Sequence, residues 1–448
     1  MIIDKTKSTI RDFRKWKVYN YRWRIVLLLF FATTINYLDR SVLSILAPAL
    51  QKQYKWSEVE YGYIVTTFQM AYGLGVVFAG KLLDKYGTRI IMAFAIVIWS
   101  TAGILHALAS TAISFAIARF FLGLGESANF PAAIKTVAEW FPKKERALAT
   151  GIFNSGSNIG AIVSPLLCPL IAIYFGWQWA FVITGMLGFI WLIFWLKMYS
   201  IPAENNKVTP EEIRHIHSDN DEVNETISWT QVVFRKETLV ICLARFLTDP
   251  VWWFFLYWLP KFLDKQYHIS LMQMGLPLIV IYLCADLGGI AGGWISSSLM
   301  KKGVNLNKAR KIALLICALG VVPVIYVSHV SDLWIAVALI SLATASHCGW
   351  IANVFTLTSD IFPKNAVGTV VGVSTFAAVV GGMLFSTLVG FLLEYTGSYI
   401  LVFSIAGCAY FTAWVIIQIG MPKIKPIQFK KNKDEKISKA YRKGKASL

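Results

Sequence analysis

Glu139-Trp140-Phe141-Pro142-Lys143 returns about 221 residues later as Asp360-Ile361-Phe362-Pro363-Lys364. The register holds beyond the five residues. The same displacement sets Gly151 against Gly372, Gly160 against Gly381, Tyr174 against Tyr395 and Gly176 against Gly397. A match that stays in step over this length predicts an internal repeat, two halves that run in the same direction with one architecture.

The chain around the two copies is too apolar for water to be its solvent. Of 448 residues, 56% are hydrophobic and only 15% are charged, and the mean hydropathy is +0.57. A bilayer core of roughly 30 Å needs about 20 apolar residues per helix. Runs of that kind lie at 25–49, 61–80, 90–109, 112–134, 147–174 and 178–198, then at 238–260, 272–300, 311–328, 331–358, 366–393 and 399–420. The break from Pro202 to Lys236 separates six from six, and within it Thr209-Pro210-Glu211-Glu212 offers an N-cap, a first-turn proline and a capping glutamate for a short surface helix. The expected fold is an all-α membrane protein of twelve transmembrane helices in two pseudo-symmetric six-helix halves. Its expected divisions are a basic segment 1–24, helical bundles 25–200 and 238–420, a central loop 201–237 and a basic tail 421–448.

A formal charge of +18 would suggest nucleic acid for a soluble chain, but here the cations are segregated by loop. Lys5, Lys7, Arg11, Arg14, Lys15, Lys17, Arg22 and Arg24 precede the first run, and ten Lys or Arg residues follow the last, from Lys423 to Lys445. Lys81, Lys85 and Arg89, then Lys143, Lys144 and Arg146, then Lys301, Lys302, Lys308, Arg310 and Lys311 mark the even loops. The odd loops carry few cations, with Lys52, Lys55, Lys261 and Lys265 as exceptions. The positive-inside pattern predicts a multi-pass protein of a bacterial inner membrane with both termini cytoplasmic and no cleaved signal; attraction to anionic lipid is the other use of the same charge. The six cysteines sit in or beside apolar runs without metal-ligand spacing, so they read as packing residues.

An ionisable side chain at bilayer depth costs at least about 2.5 to 3.5 kcal/mol and needs a partner or a wet cavity. Asn36-Tyr37-Leu38-Asp39-Arg40 places two such groups in the first run. Adjacent helical residues point about 100° apart, so Asp39 and Arg40 do not share a face. They either compensate each other or divide the labour, Arg40 as a planar fork for a carboxylate and Asp39 as a proton carrier. Arg119 and Glu126, seven residues apart on the fourth run, fall on one face two turns apart. They read as a static tie or as a coupling pair, since a carboxyl in apolar surroundings exchanges its proton as a cation approaches or leaves. Arg245 and Asp249 are spaced as a local i, i+4 pair.

Gly80-Lys81-Leu82-Leu83-Asp84-Lys85-Tyr86-Gly87-Thr88-Arg89 resembles the loop signature of major facilitator transporters, with a degraded twin from Gly292 to Gly303. Together with Asn36-Tyr37-x-Asp39-Arg40, Arg119-x6-Glu126, Glu139-Trp140-Phe141-Pro142 with Glu145-Arg146, and Asp360-x-Phe362-Pro363-Lys364, the whole chain resembles the anion:cation symporters of that superfamily. Gly151 to Ala161 and His347-Cys348-Gly349-Trp350-x2-Asn353 resemble the hexuronate branch; Ser157 stands where galactonate and glucarate carriers tend to have Gln.

The resemblance implies the major facilitator fold and proton-coupled import of a small anionic sugar acid, a hexuronate such as galacturonate or glucuronate, by a monomer without cofactor or metal. It implies that Arg40 grips the carboxylate beside Tyr37 and Tyr72, that Asn154 and Ser157 meet hydroxyls, and that His347, Trp350 and Asn353 on one face of the tenth helix complete the site. Asp39, Glu126 and Arg119 would couple the proton, and Gly80, Asp84, Gly87 and Arg89 would hold a gate. Tyr257, in the aromatic run Trp252 to Trp258, is the candidate for a cavity-facing gate residue. Trp350 and Tyr72 serve equally as packing aromatics, and His347 as a satisfied core residue. A galactonate or glucarate carrier is the alternative substrate reading. Export of organic anions wants Gly-Pro followed by a glycine pair on the fifth helix, where this chain has Ser164-Pro165-Leu166-Leu167-Cys168-Pro169. A membrane enzyme or sensor would need a nucleotide loop, a metal cluster or a nucleophile with its base, and the sequence offers none.

Overall fold

The computed structural model describes residues 21–218 and 229–427. Of the terminal cations, Lys5 to Lys17 and those from Lys430 onward lie outside the described residues. The first half runs α1 Tyr21–Tyr54, α2 Glu58–Tyr86, α3 Thr88–Leu105, α4 Ala112–Glu126, α5 Asn129–Trp140, α6 Lys143–Phe175 and α7 Trp177–Met198. A linker carries the short helices α8 Pro210–Ile216 and α9 Trp229–Val233. The second half runs α10 Lys236–Tyr267, α11 Gly275–Lys301, α12 Leu306–Val321, α13 Leu333–Ile361, α14 Lys364–Thr396 and α15 Ile400–Gly420.

Eleven helices among the described residues are long and apolar enough to cross a bilayer. The run expected as one helix at 112–134 is instead broken, and α4 with α5 supplies the twelfth crossing. The cause lies in Pro131, which has no N–H for the Ser127 carbonyl and whose ring would strike it in a continuous helix. Ser127 turns its hydroxyl onto the Leu124 carbonyl at 2.6 Å, and Pro131 falls in the first turn of α5, where proline is tolerated. The second run extends beyond its expected 61–80 because Ser57 and Glu60 form a capping box that starts α2 at Glu58, while Gly87, at φ +82°, stops it.

The repeat becomes a repeated seam. Gly160 on α6 lies so close to α1 that a Cβ there would stand 2.5 Å from the Thr34 carbonyl, and Gly381 on α14 lies so close to α10 that a Cβ would stand 2.3 Å from the Phe246 carbonyl. Backbones approach this closely only where the side chain is absent, the same device in each half.

At one end of the bundle the halves are laced together. Lys52 meets Asp264 at 3.2 Å, Lys261 pairs with Glu58, the Glu58 N–H donates to Glu394 at 2.8 Å, and the Tyr61 hydroxyl donates to the Tyr257 carbonyl at 2.6 Å. One turn deeper the Thr66 and Thr387 hydroxyls lie 2.9 Å apart, and Gln69 donates to Ser386 at 3.1 Å. At the opposite end the ion pairs Lys135 with Asp84 and Arg310 with Asp360 each join helices of a single half.

At that end the linker docks on the first half. α8 begins where expected, with the Thr209 hydroxyl accepting the Glu212 N–H at 3.3 Å. Glu212 does not close a capping box; its carboxylate is buried under α1, where it accepts the Arg22 N–H at 3.1 Å. Arg22 also donates to Glu145 at 3.0 Å, and His215 meets Glu145 at 2.9 Å. Burial would raise the Glu145 pKa, but the hydrogen bonds from His215 and Arg22 outweigh it and hold this carboxyl below the usual range.

The seam yields a test within one helix. Gly160→Ala should destabilise the protein by about 1–3 kcal/mol, the usual cost of overpacking. Gly151→Ala, where a Cβ meets open space, should be neutral or slightly stabilising. Thermal unfolding of both variants in detergent compares them directly, and equal midpoints would remove the close approach as a stability determinant.

Candidate functional site

Two carboxyls and two guanidiniums meet where α1 crosses α4. Arg40, Asp39, Arg119 and Glu126 are each no more than 3% exposed, so every charge there must be answered by protein. Arg40 answers Glu126 across the helices, its Nε donating to Oε2 at 2.9 Å with Nη2 at 2.8 Å from the same oxygen. Nη2 also reaches Asn36 Oδ1 at 3.3 Å. Four rings enclose the guanidinium, Tyr37 at 4.7 Å, Tyr72 at 5.0 Å and Phe68 at 5.2 Å from the first half, and Trp253 at 5.8 Å from the second. Their faces favour a cation and shed water.

Arg119 takes another role. Both its terminal nitrogens donate to the Arg40 carbonyl at 3.2 Å, so it holds the α1 backbone under the site. Among the described residues no hydrogen bond joins Arg119 to Glu126, and what remains between them, whether as tie or as coupling pair, is the attraction of their charges. Glu126 Oε1 and both Asp39 oxygens are sealed without a hydrogen-bond partner, though the Thr184 hydroxyl stands near Asp39.

The second half contributes a largely neutral wall. Trp253 stacks on Tyr257, with ring centroids 5.8 Å apart, and Tyr257 meets Phe68 edge-on at 6.1 Å. Trp252 lies parallel to His347 at 5.2 Å. His347 Nδ1 is 2.6 Å from the Tyr410 hydroxyl, which itself donates to the Thr248 carbonyl at 2.9 Å. A phenol has one proton to give, so Nδ1 carries the hydrogen of this pair.

Twelve crossings, a repeated seam between the first and fifth crossings of each half, and a polar site where the halves meet are the geometry of one transporter fold. The profile described as the Major Facilitator Superfamily matches residues 29–386. The chain belongs to that superfamily. It is a family of transporters, not of enzymes. The hexuronate transporter of Escherichia coli K12 is 32% identical over 413 residues, covering 90% of this chain and 95% of the relative. A probable galactarate/D-glucarate transporter of the same organism is 30% identical over 439 residues, covering 93% and 98%. A crystal structure of a bacterial homologue of the human lysosomal transporter Spinster, inward-facing and unoccupied, superimposes with a TM-score of 0.67 at 18% identity, covering 90% of this chain and 96% of that one.

Other residues singled out by the superfamily resemblance are distributed unevenly. Arg40, Tyr37, Tyr72, Glu126 and Tyr257 gather in one place. Asn154 is exposed on α6, whereas Ser157 is buried and its hydroxyl is taken by the Asn154 carbonyl at 2.6 Å. Trp350 is fully buried edge-on against Tyr410, and Asn353 donates to the Gly292 and Gly349 carbonyls at 2.9 Å, which pins α13 to α11. Those two pack the half together, and Trp253 on α10 is the second-half ring that reaches Arg40. In the loop signature, Asp84 pairs with Lys135 at 2.7 Å, Arg89 donates to the Leu196 carbonyl at 2.6 Å, Gly87 makes the turn, and Gly80 has open space beside it. These contacts stay within the first half. Arg245 and Asp249 form their local pair at 2.7 Å. Asp286, a half-buried acid in the middle of α11, went unread; its signal was a lone carboxylate in the apolar run 272–300.

The laced end is directly testable. With a protease site inserted in the central loop, Thr66→Cys with Thr387→Cys should oxidise to a disulfide that keeps the two halves joined after cleavage on a non-reducing gel. Thr67→Cys with Thr387→Cys should not, because Thr67 turns its hydroxyl to the Tyr63 carbonyl of its own helix. Equal cross-linking of both pairs would show that this end is not packed as described.

Proposed function

We propose that the protein imports a sugar acid, a hexuronate, by proton symport with alternating access, as a monomer in a bacterial inner membrane with cytoplasmic termini. The single observation that carries this reading is the caged guanidinium of Arg40, a planar fork enclosed by aromatic rings and bound to one carboxylate oxygen of the protein itself. An internal carboxylate in that place is a stand-in for an external one. The names of the two Escherichia coli relatives, carriers of hexuronates and of galactarate or glucarate, favour a sugar acid as the external one. A galactarate or glucarate carrier is the second reading, favoured by the latter relative.

The coupling follows from competition. While Glu126 is ionised it occupies Nε and Nη2 of Arg40; once protonated it no longer competes as an anion, and the fork is free for the substrate carboxylate. Entry of an anion against an interior-negative membrane costs about 2.3 kcal/mol per charge per 100 mV. One proton cancels that cost, and a second, on Asp39, would let the potential assist. With the positive-inside orientation, the laced end would be external. Lys52, Glu58, Lys261 and Asp264 would then form the external gate, and the Asp84 signature would belong to the internal gate.

Glu126→Gln, which mimics the protonated acid, should still bind substrate and exchange labelled for unlabelled acid across proteoliposomes. It should not accumulate substrate when the outside is made acidic. Arg40→Lys should lose binding of the acid about tenfold or more while leaving a neutral sugar unaffected, because an ammonium cannot make two parallel bonds to a carboxylate. Full pH-driven accumulation by Glu126→Gln would route the proton elsewhere, and equal losses for acid and neutral sugar would remove Arg40 as the carboxylate clamp.

A further inference from the structure

We propose that Asp286 on α11 and Nε2 of His347 on α13 form an acceptor-only wall that binds sugar hydroxyls and excludes a second carboxylate, so that the carrier takes polyhydroxylated monocarboxylates and rejects dicarboxylic sugar acids. This rests on the sugar-acid reading and adds to it a determinant on the half opposite Arg40.

The placement of Asp286 follows from the stripes of α11. Leu276, Leu283, Leu287, Ile290 and Trp294, all exposed, make the lipid-facing stripe. Asp286 borders that stripe, flanked by Leu283 and Ile290 on one side and by Tyr282 and Gly289 on the other. Tyr282 meets Trp252 edge-on at 6.3 Å, and a Cβ on Gly289 would touch the Cys348 side chain at 3.6 Å. Asp286 is thus carried between the Trp252 side of α10 and the Cys348 side of α13, within electrostatic reach of the Cys348 thiol. His347 lies against Trp252, whose ring also meets Tyr282, the residue one turn before Asp286 on α11. A carboxylate that is half-buried at this depth takes its exposure from a wet crevice, since exposure to lipid would be costly. It has no ion-pair or hydrogen-bond partner among the described residues.

The chemistry of the wall is one-sided. An ionised carboxylate only accepts hydrogen bonds. His347 has given its Nδ1 hydrogen to Tyr410, which leaves a lone pair on Nε2 of the neutral ring. Hydroxyl groups are donors that such a wall satisfies, and the ring of Trp252 offers an apolar face beside them. A second substrate carboxylate brings only acceptors and a like charge, and finds no free cation to meet it. Arg245, the guanidinium of this half's α10, is committed to Asp249 at 2.7 and 3.1 Å, Ser374 at 3.1 Å and Thr375 at 2.8 Å. Discrimination by an unpaired charge against the wrong ligand is a common route to specificity.

Calorimetry on the purified full chain in detergent, with D-galacturonate and D-glucuronate as monoacids and galactarate and D-glucarate as diacids, tests this. The wild type should bind at least one monoacid about tenfold tighter than either diacid. Asp286→Asn, which keeps one acceptor but loses the charge, should weaken the monoacid about fivefold and bring the two classes within about threefold of each other. Asp286→Glu should restore the preference. His347→Gln, which can offer an N–H where the lone pair stood, should narrow the ratio as well and serves if Asp286→Asn fails to give a monodisperse protein. Diacids bound by the wild type as tightly as monoacids, or a ratio unmoved by the variant that folds, would overturn the proposal and leave the sugar-acid reading standing. A wild type that binds neither class would overturn the sugar-acid reading and this proposal with it.

Discussion

The burial of Arg40 governs the rest of the structure. A guanidinium cannot be neutralised by losing its proton in a protein, so once water is excluded it must have an anion beside it at all times. Removing one partner of a buried pair typically costs 3–5 kcal/mol, roughly the whole attraction at 4 Å with an effective dielectric constant near 20. Glu126 can therefore leave only if another carboxylate arrives. The rings of Tyr37, Phe68, Tyr72 and Trp253 enforce this by occupying the volume that water would need. On the proposed reading, binding at such a place would be an exchange of anions, and that exchange would link the substrate to a proton.

The fold supplies the rigidity that the exchange requires. Arg119 spends both terminal nitrogens on the Arg40 carbonyl, so the fork is held from behind by a second guanidinium. The glycine seams fix α1 to α6 and α10 to α14 within each half. The contacts between halves are of another kind. At the laced end they are hydrogen bonds and ion pairs, some exposed, such as Lys52 with Asp264, and some buried, such as Gln69 with Ser386. On the proposed reading, glycine seams within halves and polar contacts between them would let two rigid bodies rock about the site. Tyr257, with its ring against Phe68 and its carbonyl on Tyr61, lies on the line where that rocking would be felt.

What the sequence made legible was whatever depends on backbone. The repeat was visible because Gly160 and Gly381 are the residues that allow close approach, and the turn at Gly87 because a positive φ leaves little choice. Arg40 and Glu126 were visible because a charge in an apolar run has few innocent explanations. Their pairing was not, since spacing along one helix ties Arg119 to Glu126, while only the crossing of α1 and α4 brings Arg40 to that carboxylate. For Trp350 the sequence left packing and site lining equally open, since an aromatic on a membrane helix serves either, and the ring is fully buried against Tyr410. Pro131 was in plain view, but a proline in a membrane run is compatible with a kink as well as a break.

The repeat also explains why the site itself is asymmetric. Two halves that share seams must keep their glycines, because a single methyl group at Gly160 or Gly381 would meet a carbonyl oxygen. Residues facing the crevice bear no such burden and can diverge. The first half has gathered two guanidiniums and two carboxyls there, and the second has tied its own guanidinium, Arg245, to Asp249 and two hydroxyls. With Glu126 protonated the first half would present a net positive wall, and on the proposed reading a ligand with a carboxylate at one end and hydroxyls at the other would have one orientation that satisfies both walls. Orientation fixed in this way would let both halves hold the same molecule at once, and on the proposed reading a ligand held by both would draw the two bodies together.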